Sequence, residues 1–228
     1  MRRDVGVLIA AAGRGARVGP GDPKQFRPIK GIPMLLRAIR PFARHPRVRE
    51  IVTALPADVA STPPDWLGTV AGDQLRLVSG GATRADSVRA ALAALSPACT
   101  MVLVHDAARP FVNQDVVDAV IGAVAEGVAA VPAIPVADTL KQSSDDLHVV
   151  RTVDRTALWC AQTPQGFPRS MIEALFEVGG TPDLAGATDE ASLAEARGFS
   201  VRLVPGSSWN LKVTTDQDFA MAERLAAS

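Results

Sequence analysis

The chain has 228 residues, 47% of them apolar, enough for a substantial core in one large domain or two small ones. Lysine plus arginine equals aspartate plus glutamate at 24 each, which argues against broad electrostatic capture of nucleic acid and leaves a local basic pocket to look for. The two cysteines, Cys99 and Cys160, lie far apart with no Cys-x-x-Cys, so no zinc site or disulfide framework is indicated and both are expected as buried free thiols.

The first element is a strand over residues 5–9, where Val5, Val7, Leu8 and Ile9 are β-prone and loop formers flank them. Asp4 interrupts the basic start that a signal peptide would need, and no window approaches the roughly 18 apolar residues of a membrane span. The chain therefore reads as cytoplasmic, with no membrane partner. The strand runs into Ala10-Ala-Ala-Gly-Arg-Gly-Ala-Arg17, then Pro23-Lys24-Gln25. Such a loop brings backbone N–H groups close to an anion, with Arg14, Arg17 and Lys24 nearby. A strand-to-helix turn whose basic residues face water is the plainer reading. Val18 stands where a dinucleotide fingerprint needs its third glycine, and no Gly-Lys pair makes a P-loop.

Strand and helix patterns then alternate. Residues 33–44 read as a helix with Leu35, Leu36, Ile39 and Phe42 on one side. Strands are expected at 50–55 and 75–78, a helix at 84–95, an apolar strand at 101–104, a helix at 114–126 and a strand at 128–131. Helices at 168–178 and 189–197, the latter stopped by Gly198, precede a strand at 199–204 and a helix at 215–227 capped by Thr215. This alternation predicts an α/β fold, a mostly parallel sheet with helices on both faces. Residues 136–159 break the rhythm with two extended pieces, 138–142 and 148–153, around the polar turn Ser143-Ser-Asp-Asp146. They read as a projecting β-hairpin, either an ordinary surface feature or an arm that grips another subunit.

Five clusters carry candidate chemistry where an open α/β sheet places its ligands. Gly80-Gly-Ala-Thr-Arg-Ala-Asp-Ser87 is a glycine turn into a helix, suited to an anion or a base edge, although Asp86 and Ser87 could simply cap that helix. Val104-His-Asp-Ala-Ala-Arg-Pro110 puts Asp106 and Arg109 at a strand's carboxyl end, as an ion pair or as contacts to a metal or sugar hydroxyl. Thr163-Pro-Gln-Gly-Phe167 reads as a donor loop. Thr188-Asp-Glu-Ala191 starts a helix, with Thr188 as cap or phosphate ligand. Asn210-Leu-Lys-Val-Thr214 places Lys212 in a strand-like stretch. His45, His105 and His148 form no catalytic set, and neither cysteine has a base partner. A site rich in cations (Arg17, Lys24, Arg109, Arg155, Lys212) and poor in bases suits nucleotidyl transfer, where the work is positioning and charge neutralisation.

In order, these motifs, with Asp138-Thr-Leu-Lys141 and Thr152-Val-Asp-Arg155, resemble the 2-C-methyl-D-erythritol 4-phosphate cytidylyltransferases along nearly the whole chain. The resemblance implies one Rossmann-like nucleotidyltransferase domain over 1–228, with 136–159 as the arm. It implies transfer of CMP from CTP to 2-C-methyl-D-erythritol 4-phosphate with release of pyrophosphate. It gives the triphosphate to the loop holding Ala11, Ala12, Gly13 and Gly15, and the α-phosphate to Arg17 and Lys24. Gly81, Ala82, Arg84 and Ser87 would read the nucleotide, Asp106 and Arg109 the ribose and acceptor, and Thr188 and Lys212 the acceptor phosphate. Thr163 joins the substrate-binding set. Thr139 and Arg155 would reach the site from the partner of a homodimer. Magnesium would be held chiefly by the CTP phosphates, with Asp106 the one side chain to consider as a metal ligand. Ala82 stands where an acidic residue is frequent in the family, which puts a side-chain contact to the base in doubt. A ribitol 5-phosphate cytidylyltransferase is the nearest alternative, and a nucleotide-binding module without turnover is the alternative from another class.

Overall fold

A computed structural model describes residues 2–13, 23–176 and 188–227. In chain order the elements are β1 (Val5–Ala10), β2 (Pro28–Ile29), β3 (Ile32–Pro33), α1 (Met34–Ala43), β4 (Val48–Leu55), α2 (Ala57–Ser61), β5 (Leu75–Ser79), α3 (Arg84–Ala94), β6 (Met101–Asp106) and α4 (Gln114–Ala123). There follow β7 (Val128–Pro135), β8 (Leu140–Ser143), β9 (Val149–Val153), β10 (Trp159–Ala161), β11 (Gln165–Pro168), α5 (Arg169–Phe176), α6 (Glu190–Ala196), β12 (Ser200–Pro205) and α7 (Asp216–Leu225).

The main sheet runs β10-β7-β11-β6-β1-β4-β5, with β12 paired to β7. Pairs β1·β4, β1·β6, β4·β5 and β7·β12 are parallel, as the alternation predicts. Strands β10 and β11 run antiparallel. The register matters more than the count. Ala10 pairs with both Ala54 and Asp106, and Leu55 pairs with Ser79, so β1, β4, β5 and β6 end along one edge. The loops at 11–13, 80–83 and 107–110 leave the sheet there together.

Side chains of β1 alternate between the two faces, as period two requires. Val5, Val7 and Ile9 pack with Leu35, Ile39 and Phe42 of α1 and with Val116, Val117 and Val120 of α4. Leu8 packs on the opposite face with Val88, Ala91 and Leu92 of α3, Ile172 and Leu175 of α5 and Leu193 of α6. Helices thus cover both faces. A third cluster joins Ile29, Met34, Val213, Phe219 and Ala222, which docks α7 and the segment before it onto the β2–β3 hairpin. Among the described residues no helix is long and apolar enough to cross a membrane.

The structure corrects several expectations. The helix expected over 114–126 ends at Ala123, because Val124 turns extended (ψ 126°) and the chain reverses through Gly127 (φ +71°). Residues 165–167, expected as loop, belong to a strand between β6 and β7, and the Thr163–Pro164 peptide before it is cis. Residues 211–214, expected as strand-like, form no strand: Leu211 and Val213 pack in the third cluster, and a backbone bond from Val213 N–H to Ala108 O ties them to the sheet edge. Asp189, not Thr188, caps α6, its carboxylate accepting from Ser192 N–H at 2.9 Å. Cys99 is buried as expected, whereas Cys160 is exposed, since β10 is a three-residue strand with all its side chains facing solvent. Residues 140–153 form a separate two-stranded hairpin with Leu147, Val149 and Val150 exposed.

Phe42 is fully buried and meets the His105 ring edge-on at 4.9 Å between centroids. Truncation there leaves a cavity under the strand that carries Asp106. Phe42→Ala is expected to lower unfolding free energy by about 3–5 kcal/mol, read from urea midpoints at constant slope.

Candidate functional site

A cavity of about 250 Å³ opens on the edge where β1, β5 and β6 end. Ala10, Ala12, Gly13, Gly81, Ala82, Thr83, Arg84, Ser87, Asp106, Ala108 and Lys212 line it. Eight of the residues expected from sequence therefore meet in one place: Ala12, Gly13, Gly81, Ala82, Arg84, Ser87, Asp106 and Lys212. Ala11 is buried just behind, its N–H donating to Ala54 O at 3.0 Å. Gly15 and Arg17 lie outside the described residues. Lys24 is half-buried in a short turn anchored to the first loop, where Gln25 Nε2 donates to Ala11 O at 2.7 Å. Lys24 does not line the cavity.

The glycine turn has a steric reason. A Cβ on Gly80 would sit 2.3 Å from Ala12 Cβ, and one on Gly81 2.3 Å from Asp86 Cβ. Glycine lets this loop lie directly on the loop after β1. The turn then starts α3 through a capping box between Thr83 and Asp86. Ser87 Oγ donates to Thr83 O (2.9 Å) and accepts from Gly81 N–H (3.2 Å). The capping role considered for Asp86 is therefore its observed one, and the Ser87 hydroxyl shapes the wall it belongs to.

Charge is concentrated at one end of the cavity. Arg84 Nη1 donates to both Glu190 oxygens (2.7 and 2.8 Å), and Arg84 Nε donates to Asp106 Oδ1 (3.0 Å). Lys212 Nζ lies 2.9 Å from Asp106 Oδ2. Burial opposes ionisation of Asp106, but Arg84 and Lys212 outweigh it and hold the carboxyl well below the usual range. Burial likewise opposes the Arg84 cation, and Glu190 and Asp106 together reverse that, so its pKa is raised. Glu190, only 1% exposed, is pushed up by burial, with Arg84 acting against the shift. Among the described residues no three His, Cys, Asp or Glu side chains gather as a metal cage, and both Asp106 oxygens already face cations.

Lys212 is delivered by its neighbours. Val213 is buried and Leu211 partly buried, so the residue between them points the other way. Val213 N–H donates to Ala108 O at 2.8 Å. Arg109 does not pair with Asp106. Its Nη1 donates to Asn210 O (2.7 Å) and its Nη2 to Ala161 O (3.3 Å), so it ties the Lys212 segment to β10. Asn210 Nδ2 in turn donates to Thr163 O at 2.8 Å.

Thr163 lies behind Asp106, not in the cavity. Because β11 is antiparallel to β6, its start lies at the carboxyl edge. Thr163 Oγ1 accepts from Asp106 N–H (3.1 Å) and pairs with His105 Nδ1 (2.9 Å), while His105 Nε2 faces Arg109 O at 3.1 Å. A neutral imidazole with its proton on Nε2 satisfies all three contacts: Nε2–H donates to the carbonyl and Nδ1 accepts from the hydroxyl. Burial pushes the His105 pKa down to about 4. The other histidines are remote from it, His45 against Asp118 and His148 against Asp146.

Thr188 is exposed beside the start of α6. Thr139 and Arg155 belong to the arm region, with Arg155 Nη1 donating to Ala137 O across its base, and neither lines this chain's cavity. Glu190 and Gln25 are the site residues that sequence reading missed. The signal for Glu190 was an acidic residue at a helix start in a site otherwise counted as cationic.

Comparisons with known proteins agree with one another. The family described as IspD, 2-C-methyl-D-erythritol 4-phosphate cytidylyltransferase, matches residues 5–227. The 2-C-methyl-D-erythritol 4-phosphate cytidylyltransferase of Symbiobacterium thermophilum is 45% identical over 224 residues, covering 97% of this chain and 92% of the relative. That of Frankia casuarinae is 42% identical over 224 residues, covering 98% and 81%. The crystal structure of the Thermus thermophilus enzyme superposes with a TM-score of 0.79 at 35% identity, covering 100% of both chains.

The buried histidine carries a pH prediction. His105 titrates near 6.5 when unfolded and near 4 when folded, so the unfolded chain binds more protons between those values. Its contribution is complete above about pH 6.5 and is lost as pH falls towards 4. The raised Glu190 carboxyl slopes the other way, so the histidine must be isolated by difference. Urea unfolding from pH 7.5 to 4.5 is expected to show wild type losing on the order of 3 kcal/mol relative to His105→Gln. Parallel curves for the two proteins would count against it.

Proposed function

The chain belongs to the 2-C-methyl-D-erythritol 4-phosphate cytidylyltransferase family, and we propose that its cavity holds CTP, with the acceptor phosphate beside Lys212. The reaction is the family's: CMP passes from CTP to 2-C-methyl-D-erythritol 4-phosphate, giving 4-(cytidine 5'-diphospho)-2-C-methyl-D-erythritol and pyrophosphate in isoprenoid precursor biosynthesis. The observation that carries the site assignment is the convergence of the loops after β1 and β5 with Asp106 and Lys212 on one cavity.

The backbone of Ala12 and Gly13 would carry the triphosphate, together with Gly15 and Arg17, while Ala11, whose N–H is held by Ala54 O, supports the loop from behind. Gly81, Ala82, Arg84 and Ser87 form the wall for the nucleoside, and Ala82 presents no carboxylate to the base. The acceptor's phosphate monoester attacks the α-phosphorus in line, a new P–O bond forms, and the bond to pyrophosphate breaks. A phosphate monoester with a second pKa near 6 is largely dianionic at neutral pH, so no general base is needed. This matches a site whose histidine is buried and neutral. The protein's task is to hold both phosphates in line and neutralise charge building on the α-phosphorus, a task for Arg17, Lys24 and Lys212. Magnesium fits as an ion carried by the CTP phosphates with most of its waters, where it would screen the triphosphate's charge. Asp106, held ionised between two cations, is placed to accept a hydrogen bond from an acceptor or ribose hydroxyl. Arg109 supports the site from behind through Asn210, and its contact to the ribose and acceptor rests on the resemblance.

The arm supplies the remaining part of the reading. An isolated two-stranded hairpin is marginal in water, and this one exposes Leu147 at 83% and Val149 and Val150 at 62% each. Burial against a second copy would cover those side chains and bring Thr139 and Arg155 to the partner's cavity.

Pyrophosphate release from CTP is expected with 2-C-methyl-D-erythritol 4-phosphate and not with ribitol 5-phosphate. Turnover with ribitol 5-phosphate alone would overturn the acceptor assignment, and turnover with neither would favour a binding module. Arg155→Ala and Lys24→Ala are each expected to lose at least about 100-fold in kcat/KM. Mixing the two inactive variants should restore part of the activity, because a heterodimer contains one site intact in both halves. Absence of recovery, with subunit exchange verified, would sink the shared site.

A further inference from the structure

Glu190 is a buried carboxylate that no step of the reaction uses. It is the first residue of α6, it is 1% exposed, and both its oxygens accept from Arg84. Gln165 pins the chain on either side of it, with Nε2 donating to Asp189 Oδ2 (2.7 Å) and Oε1 accepting from Ala191 N–H (3.0 Å). Two hydrogen bonds to a buried glutamine therefore fix where this carboxylate sits.

Arg84 has reason to need it. It is the first residue of α3, where the unpaired N–H groups already carry partial positive charge and disfavour a cation. Two carboxylates from distant parts of the chain hold it there, Glu190 on Nη1 and Asp106 on Nε. Asp106 passes the constraint on, because its second oxygen meets Lys212. The result is a row of alternating charges, Glu190–Arg84–Asp106–Lys212, crossing α6, α3, β6 and the segment before α7. Buried ion pairs roughly break even against apolar replacements, so stability alone does not account for a carboxylate in this position. What such a pair does supply is a single geometry.

We propose that Glu190 is a positioning residue: it fixes Arg84 and, through Arg84 and Asp106, sets where Lys212 stands in the cavity. This rests on the reading of Lys212 as a group acting at the reacting phosphates. With Glu190 neutral, Arg84 pairs with Asp106 alone, Asp106 shifts towards it, and Lys212 loses its fixed partner. The effect is on the reaction, not on the fold, because α6 stays capped by Asp189 and pinned by Gln165.

The test is a double-mutant cycle in the full-length protein with CTP and 2-C-methyl-D-erythritol 4-phosphate, read by pyrophosphate release. Glu190→Gln keeps size and removes charge. It is expected to lower kcat/KM about 30-fold, mainly in kcat, with a melting temperature within a few degrees of wild type. In a Lys212→Gln background the same change is expected to cost less than about 3-fold, because the position it guards is already empty. Should Glu190→Gln not fold, Glu190→Asp carries the same cycle, since a shorter carboxylate keeps the charge but withdraws it from Arg84. Unchanged kcat/KM in the single variant overturns the proposal. So does a full 30-fold loss in the Lys212→Gln background, which would mean that the two residues act independently. Wild-type turnover is the control that separates the readings: without it the proposed function fails, and with it only the role of Glu190 is in question.

Discussion

Everything at the site depends on the parallel register of β1, β4, β5 and β6. Ala10 stands level with Ala54 and Asp106, and Leu55 with Ser79, so these strands stop at one edge. A shift of one residue would turn the β1 side chains to the wrong faces and carry Asp106 out of line with the first loop. The two hydrophobic layers hold that register from both sides, since Val7 and Ile9 belong to one and Leu8 to the other. The edge that carries the cavity is therefore set by packing well away from it.

Electrostatics at that edge is organised by burial. Asp106 and Glu190 lie deep enough that each would resist ionisation alone, and the same cations that line the site hold Asp106 charged. Reading the site as rich in cations and poor in bases included Asp106 but left out Glu190. Free cations in a row repel one another and wander, and interleaved carboxylates give each a fixed place. The polar shell behind follows the same logic: His105, Thr163, Asn210 and Arg109 bond to one another and to backbone carbonyls, which braces the residues facing the cavity, although Arg109 Nε and Asn210 Oδ1 are buried without a hydrogen-bond partner among the described residues.

The core elements were legible because their signals are local. The β-prone apolar run of β1, the apolar run of β6, the 3.6-residue spacing in α1 and the stop at Gly198 are each read within a few residues. The glycine turn at 80–81 was legible as a ligand loop, although its steric cause, the approach of Ala12 to Gly80, is a contact between two loops 68 residues apart. Strands β10 and β11 were not legible. They are three and four residues long, and their pairing with β7 and β6 is non-local. Cys160 followed them, since all three side chains of β10 are exposed.

Residue chemistry told a similar story. Arg84, Asp106 and Lys212 stood out by type and by position at element ends, and the structure joins them. Arg109 stood out for the same reason and turned out to hold the scaffold, because nothing in its neighbours' order reveals that Asn210, 101 residues on, presents a carbonyl to it. By itself the sequence determined the α/β class, the order of the core strands and helices, the two-stranded hairpin and the charged residues at the element ends, all of which follow from short-range periodicity and side-chain type. Only the tertiary structure decided which charges pair, that Thr163 and Arg109 stand behind the cavity while Lys212 stands in it, and that Glu190 meets Arg84. Pairing across more than 100 residues is set by how the sheet brings segments together, and that information is not written in any local stretch of the chain.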